Sequence, residues 1–269
     1  MNHPRVTPRG LHFVAGSPVA GLAVAERRVA HPEATVICVH GGLDRAGSFA
    51  RLARRIDTFD LVAYDRRGYQ GSRDLAPLGL EHHVQDMMTI AEHESRRAPV
   101  ILFGHSYGGV IALAGAIKDP SLASLVLVYE SPLPWILQRE SSRPVPGEDP
   151  AHEAEIFFQR VVSKGAWERL SEAERESRRL DGRALLGDLR SLRGSAPFDL
   201  GELRTPAVYV HGDGVLSPYY RALGVEIARV NPAVTSYELT KAGHGAHLST
   251  PDQLAQVIHD MWDKTCASA

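Results

Sequence analysis

Two cysteines in 269 residues exclude a disulfide-built scaffold, since Cys38 falls inside an apolar run and Cys266 in the last few positions. No stretch approaches the roughly 20 apolar residues of a spanning helix. Residues 1–10 carry prolines and arginines where a secretory signal would have an apolar core, so a cytoplasmic, soluble protein with no membrane partner is expected. Neither sign of charge dominates. Thirty basic side chains face 32 acidic ones, for a formal charge of −2 without a long like-charge run, which argues against nucleic acid as a partner. There is no CxxC or HExxH pattern to suggest a metal, and no glycine-rich loop followed by Gly-Lys-Ser/Thr to suggest a nucleotide. No cofactor is therefore implied, a small molecule is the expected partner, and monomer and homodimer stay open.

What is present suffices for a packed core, with 43% hydrophobic residues. Short β-branched runs at 35–39, 61–64, 100–103, 125–129, 207–210 and 235–239 alternate with segments of helical period at about 45–57, 80–97, 106–118, 217–230 and 251–264. An antiparallel strand is expected within 19–29. The alternation predicts an α/β fold: a mostly parallel, doubly wound sheet with helices on both faces. It fails between about 131 and 200, where a proline-rich entry (Pro132, Pro134, Pro144, Pro146, Pro150) leads into charged amphipathic sequence. The expected division is a core of 1–130 and 201–269 interrupted by a helical cap or lid over 131–200, with the proline-rich part as its hinge.

The chemistry concentrates in loops that follow the apolar runs. "GHSYG" at 104–108 fits G-x-S-x-G between a strand and a helix, which puts Ser106 on a tight turn at the carboxyl end of the sheet above the free N–H groups of a helix start. "HGG" at 40–42 follows the preceding run. Two backbone N–H groups aimed at a developing oxyanion are a large catalytic contribution, and the expected donors are Tyr107 and Gly42, with Leu43 second. "DRRGYQGS" at 65–72 is expected to brace the nucleophile turn. In "KAGHGAHL" at 241–248, His244 lies between glycines and is favoured as the base that takes the serine proton, while His247 is expected to pack nearby. The remaining histidines, His82, His83 and His93 among them, are expected at the surface.

"HGG", "DRRGYQGS", "GHSYGG", a proline-rich insertion and "AGHGAHLSTP", in that order, resemble the α/β-hydrolase fold family from about residue 20 onward. The resemblance implies a serine hydrolase, but the family's bond chemistries range from esters, lactones and thioesters to carbon–carbon bonds. In most members the acid follows the strand before the last, at the position of Val215 here, and valine cannot accept a hydrogen bond from imidazole. Some members carry it after the strand that follows the nucleophile helix. "YESPLP" places Glu130 there, and together with Ser217-Pro218 it resembles bacterial esterases and lactonases with a displaced acid. Ser106, Glu130 and His244 keep the family's chain order, and Asp213 stays as the rival acid. Trp135, Phe157, Phe158 and Trp167 suggest contact with an apolar, medium-sized substrate. The alternatives are a C–C or C–heteroatom bond hydrolase or cyclase using the same triad, and a ligand sensor on a hydrolase scaffold.

Overall fold

The apolar runs lack polar alternation, so their strands need cover on both faces. In the computed structural model, which describes residues 10–138 and 147–268, the order is β1 (His12–Phe13), β2 (Val24–Arg27), β3 (Thr35–Val39), α1 (Ala50–Ala53), β4 (Asp60–Tyr64), α2 (Leu80–Glu94), β5 (Val100–His105), α3 (Tyr107–Lys118) and β6 (Leu125–Tyr129). Then follow α4 (Pro150–Val161), α5 (Lys164–Arg169), α6 (Glu172–Leu180), α7 (Gly182–Ser191), β7 (Ala207–Gly212), α8 (Ser217–Val230), β8 (Val234–Leu239), α9 (Ala246–Ser249) and α10 (Pro251–Ser268). The eight strands lie in the order β1-β2-β4-β3-β5-β6-β7-β8. The first two pairings, β1 with β2 and β2 with β4, are antiparallel, and all others are parallel. This is the α/β fold class read from the sequence.

Successive strand residues point to opposite faces, and each face has its own core. Ile37, Leu102 and Val128 pack with Val110, Ile111 and Met87 on the side of α2, α3 and α8. Cys38, Phe103 and Leu127 pack with Phe49, Leu254 and Trp262 on the side of α1 and α10. From β3 the chain crosses to β4 on one side, and β5 then lies on the other, so β3 and β5 are neighbours whose following loops diverge. Ligands in open α/β sheets bind at such a switch point.

Local differences from the sequence reading have physical causes. The antiparallel strand covers only Val24–Arg27, because its ladder with β4 runs only from Val24 opposite Tyr64 to Arg27 opposite Leu61. The segment 45–57 holds a 3₁₀ turn (Ala46–Phe49) and the four-residue α1, not one helix; Gly47 and Ser48 favour the tighter turn over a continuous helix. The two-residue β1 is too short to give any period. His83 is buried on α2 beside Arg66 and Asp188, His211 at the end of β7, His105 at the end of β5 and His40 just after β3, so the expectation of surface histidines is corrected for these four. Pro144 and Pro146 of the expected hinge lie outside the described residues.

Helices α4 to α7 stand over the carboxyl end of the sheet. Phe158, Trp167 and Leu185 form a cluster with Leu43 and Tyr69 of the core loops. Buried charge joins the same parts. The Arg66 guanidinium, fully buried, donates to Asp188 on α7 at 2.6 Å, and the Tyr69 hydroxyl donates to the same carboxylate at 2.6 Å. Arg73 and Gln70 reach Asp181 at 2.6 Å. Among the described residues no helix is long and apolar enough to cross a membrane.

Candidate active site

The turn from β5 into α3 holds Ser106 at φ 52° and ψ −123°, a conformation costly for any residue with a side chain and found where the surroundings enforce it. Gly108 makes the turn possible: a Cβ there would lie 2.0 Å from the Val39 carbonyl oxygen. The Tyr107 amide opens α3 and the Gly42 amide lies on the neighbouring loop; among the described residues neither donates to a backbone acceptor. The "HGG" loop is held from below. His40 donates through Nδ1 to Gly41 O (2.7 Å) and accepts the Arg66 N–H at Nε2 (2.9 Å), while the Arg66 side chain donates to His40 O (2.9 Å). "DRRGYQGS" thus braces the "HGG" loop and α7, and its Arg66 guanidinium also stacks over the Tyr107 ring, 5.2 Å from the centroid.

At the end of β6, Glu130 adopts φ 45° and is almost wholly buried. One carboxylate oxygen accepts the Gly212 N–H (3.0 Å); the other lies 2.6 Å from His244 Nδ1. Gly212 is needed at that spot, because a Cβ would meet the Ala242 carbonyl oxygen at 2.0 Å. Asp213 does not face the ring. Its carboxylate accepts the N–H groups of Lys241 (2.8 Å) and Ala242 (3.0 Å), so it anchors the loop that carries the histidine. Val215 is 97% exposed.

His244 is stacked on Tyr220 (5.7 Å, 12°), and its carbonyl accepts the Nε2–H of His105 at 2.7 Å. Burial pushes the ring below the ordinary imidazole value of 6.5, and the Glu130 hydrogen bond opposes that shift. Ser106 and His244 line the same two cavities without a hydrogen bond between them, a distance that catalytic pairs often close only with substrate bound. The larger cavity, about 420 Å³, has apolar walls from Leu43, Phe157, Phe158, Val161 and Leu248. A second of about 50 Å³ lies toward Tyr107, Pro132 and Tyr220.

The other aromatic expectations are corrected. Trp135 packs edge-on against Phe198, and Trp167 of α5 packs on Phe158 of α4; neither lines either of these two cavities, and for Trp167 the reason is that amphipathic helices bury their aromatics against one another. Sequence reasoning passed over Arg178, which lines the larger cavity and donates to the Leu43 carbonyl. Burial beside Arg45 lowers it to about 10, still a cation at neutral pH. It also passed over Asp44 and His105, which meet His247, expected only to pack nearby, on the same cavity wall from three distant segments. No local spacing signals such a meeting.

Residues 36–257 match the alpha/beta hydrolase family. The chain is 27% identical over 257 residues to the pimeloyl-[acyl-carrier protein] methyl ester esterase of Stenotrophomonas maltophilia, covering 83% of this chain and 90% of that one. It is 28% identical over 96 residues to Lipase LipV of Mycobacterium tuberculosis, covering 35% of this chain and 36% of the lipase, so it matches about a third of that relative's length. In fold it resembles Cfl2 of Burkholderia cenocepacia with a TM-score of 0.71 at 18% identity, over 97% of this chain and 100% of that one.

Proposed function

The chain belongs to the alpha/beta hydrolase family, and from that premise we propose that it is a serine hydrolase cleaving an ester-type bond, in a carboxylic ester, lactone or thioester, of an apolar, medium-sized small molecule. The observation that carries the proposal is the 2.6 Å contact of Glu130 with His244 Nδ1, on the cavity that Ser106 also lines. A carboxylate only accepts, so the ring proton sits on Nδ1 and the Nε2 lone pair is left to act as base. Ser106 attacks the carbonyl, and His244 takes its proton and returns it to the leaving oxygen or sulfur. Glu130 stabilises the imidazolium, and the Gly42 and Tyr107 amides hold the oxyanion. Water then releases the acyl group by the same steps in reverse. A methyl ester esterase among the relatives supports ester chemistry, and the apolar cavity walls support an apolar acyl group.

The test is a panel of p-nitrophenyl esters and lactones with Ser106→Ala as control. The substitution is expected to lower turnover by several powers of ten with the fold intact, leaving only the effects of binding and the oxyanion site. Activity within tenfold of the parent would sink the acyl-enzyme mechanism.

A further inference from the structure

Asp44, His105 and His247 take no part in the proton relay, yet they converge on one wall of the 420 Å³ cavity. They come from the loop after β3, the last residue of β5, and α9. Asp44 Oδ2 lies 3.2 Å from His247 Nε2 and 3.6 Å from His105 Nδ1, and one donor atom from each residue lies within 4.8 Å of the others. All three atoms are buried, and none makes a formed hydrogen bond among the described residues. The tautomer sharpens the conflict. The His244 carbonyl can only accept, so the His105 proton sits on Nε2. In the neutral ring the Nδ1 lone pair then stands 3.6 Å from a carboxylate oxygen. Two buried acceptors this close repel each other, and a positive charge shared between them, a proton or a metal ion, removes that repulsion.

We propose that Asp44, His105 and His247 bind one divalent transition-metal ion of the zinc class, with the cavity side of the ion left open. Two imidazole nitrogens and one carboxylate oxygen are a donor set that zinc takes when its fourth position is open. At zinc–ligand distances of about 2.0–2.2 Å, donors of a tetrahedral site stand about 3.3–3.6 Å apart, close to the two separations from Asp44 Oδ2. Magnesium and calcium prefer shells of six or more oxygens, and one carboxylate with two imidazoles does not supply them. The bond from His105 Nε2 to a backbone carbonyl is the outer contact that orients a metal-bound imidazole. The site is independent of the hydrolase proposal.

The full chain, freed of metal by a chelator and exchanged out of it, is dialysed against Zn²⁺ and separately titrated with Co²⁺ under visible absorption. Expected are one zinc per chain, the strong bands of low-coordinate cobalt, and a melting temperature raised by zinc. Asp44→Asn and His247→Gln should each weaken binding by roughly 100-fold or more, whereas His244→Gln and the exposed His82→Gln should retain it. A parent chain that takes up no zinc overturns the proposal. So does binding that survives the two ligand substitutions or is lost with His244. If a ligand variant fails to fold, the parent's stoichiometry and cobalt spectrum, with retention in His244→Gln, decide.

Discussion

Two acids stand within reach of the loop that carries His244, and they hold different things. Glu130 accepts from the ring, whereas Asp213 accepts from the backbone of Lys241 and Ala242. Replacing a triad carboxylate by an amide can leave the imidazole wrongly protonated, at a cost of up to about 10⁴ in rate. Glu130→Gln is therefore expected to lower kcat by a factor of about 10² or more, near 2.7 kcal/mol of transition-state free energy at about 1.36 kcal/mol per tenfold, with little change in melting temperature. Asp213→Asn should change kcat by less than about tenfold and lower the melting temperature slightly. Steady-state kinetics and thermal melts on both variants separate the roles; the opposite ranking would assign the acid to Asp213. The pH profile tests the same ring. Burial lowers the His244 pKa, so the neutral base persists to lower pH, and the acid limb of kcat/KM on a neutral ester is expected below pH 6.5. A limb centred above that value would contradict the buried environment.

Among the secondary-structure elements, the contact of α7 with the loop after β4 is the one to break. Arg66 and Asp188 are both buried, and removing one partner leaves the other as an unpaired buried charge, which costs about 3–5 kcal/mol. Asp188→Asn should lower stability by about that amount in denaturant melts. It should also depress kcat, because Arg66 steadies the carbonyls of His40 and Gly41. Arg66→Met combined with Asp188→Leu should be more stable than Asp188→Asn alone, since no charge is then stranded. The exposed Arg55–Asp252 pair is the contrast: screening by water limits such pairs to at most about 1 kcal/mol, so Arg55→Ala should be nearly silent. Equal effects from the two pairs would show that burial does not set the strength of the α7 anchor.

For the whole molecule the buried histidines set the acid limit. Burial lowers His40 to about 3 and holds His83, His244 and His247 below 6.5. Above about pH 6.5 these rings are neutral in both the folded and the unfolded chain, and they contribute no pH dependence. Below it the unfolded chain binds protons that the folded one refuses, so stability is lost as pH falls, and for His40 the loss continues to about pH 3. Each ring contributes at most about 1.4 kcal/mol per pH unit. Four together would erode a stability of about 5–15 kcal/mol within a few units. Calorimetry should find a melting temperature that is level from pH 8 to about 7 and falls steeply toward pH 5; a level value at pH 5 would contradict neutral burial.

Strands apolar on both faces, helices of regular period and a glycine-flanked serine between strand and helix are local patterns, and the sequence alone determined them. Hydrophobic period and tight-turn sterics act over a few residues, which is why the sheet, α3 and the Ser106 turn were legible. Glu130 and Asp213 look alike in that language, since both follow an apolar strand. Only the tertiary structure separates them, by turning Glu130 at φ 45° toward a ring 114 residues away and tying Asp213 to the backbone of the next loop. The same holds for the aromatics of the inserted helices, where packing decides that Phe157 faces the cavity and Trp167 does not. It holds also for Asp44, His105 and His247, which no spacing connects. The order of strands in the sheet brings their loops together, and strand order is settled by how the crossing helices bury their faces, a property of the whole chain.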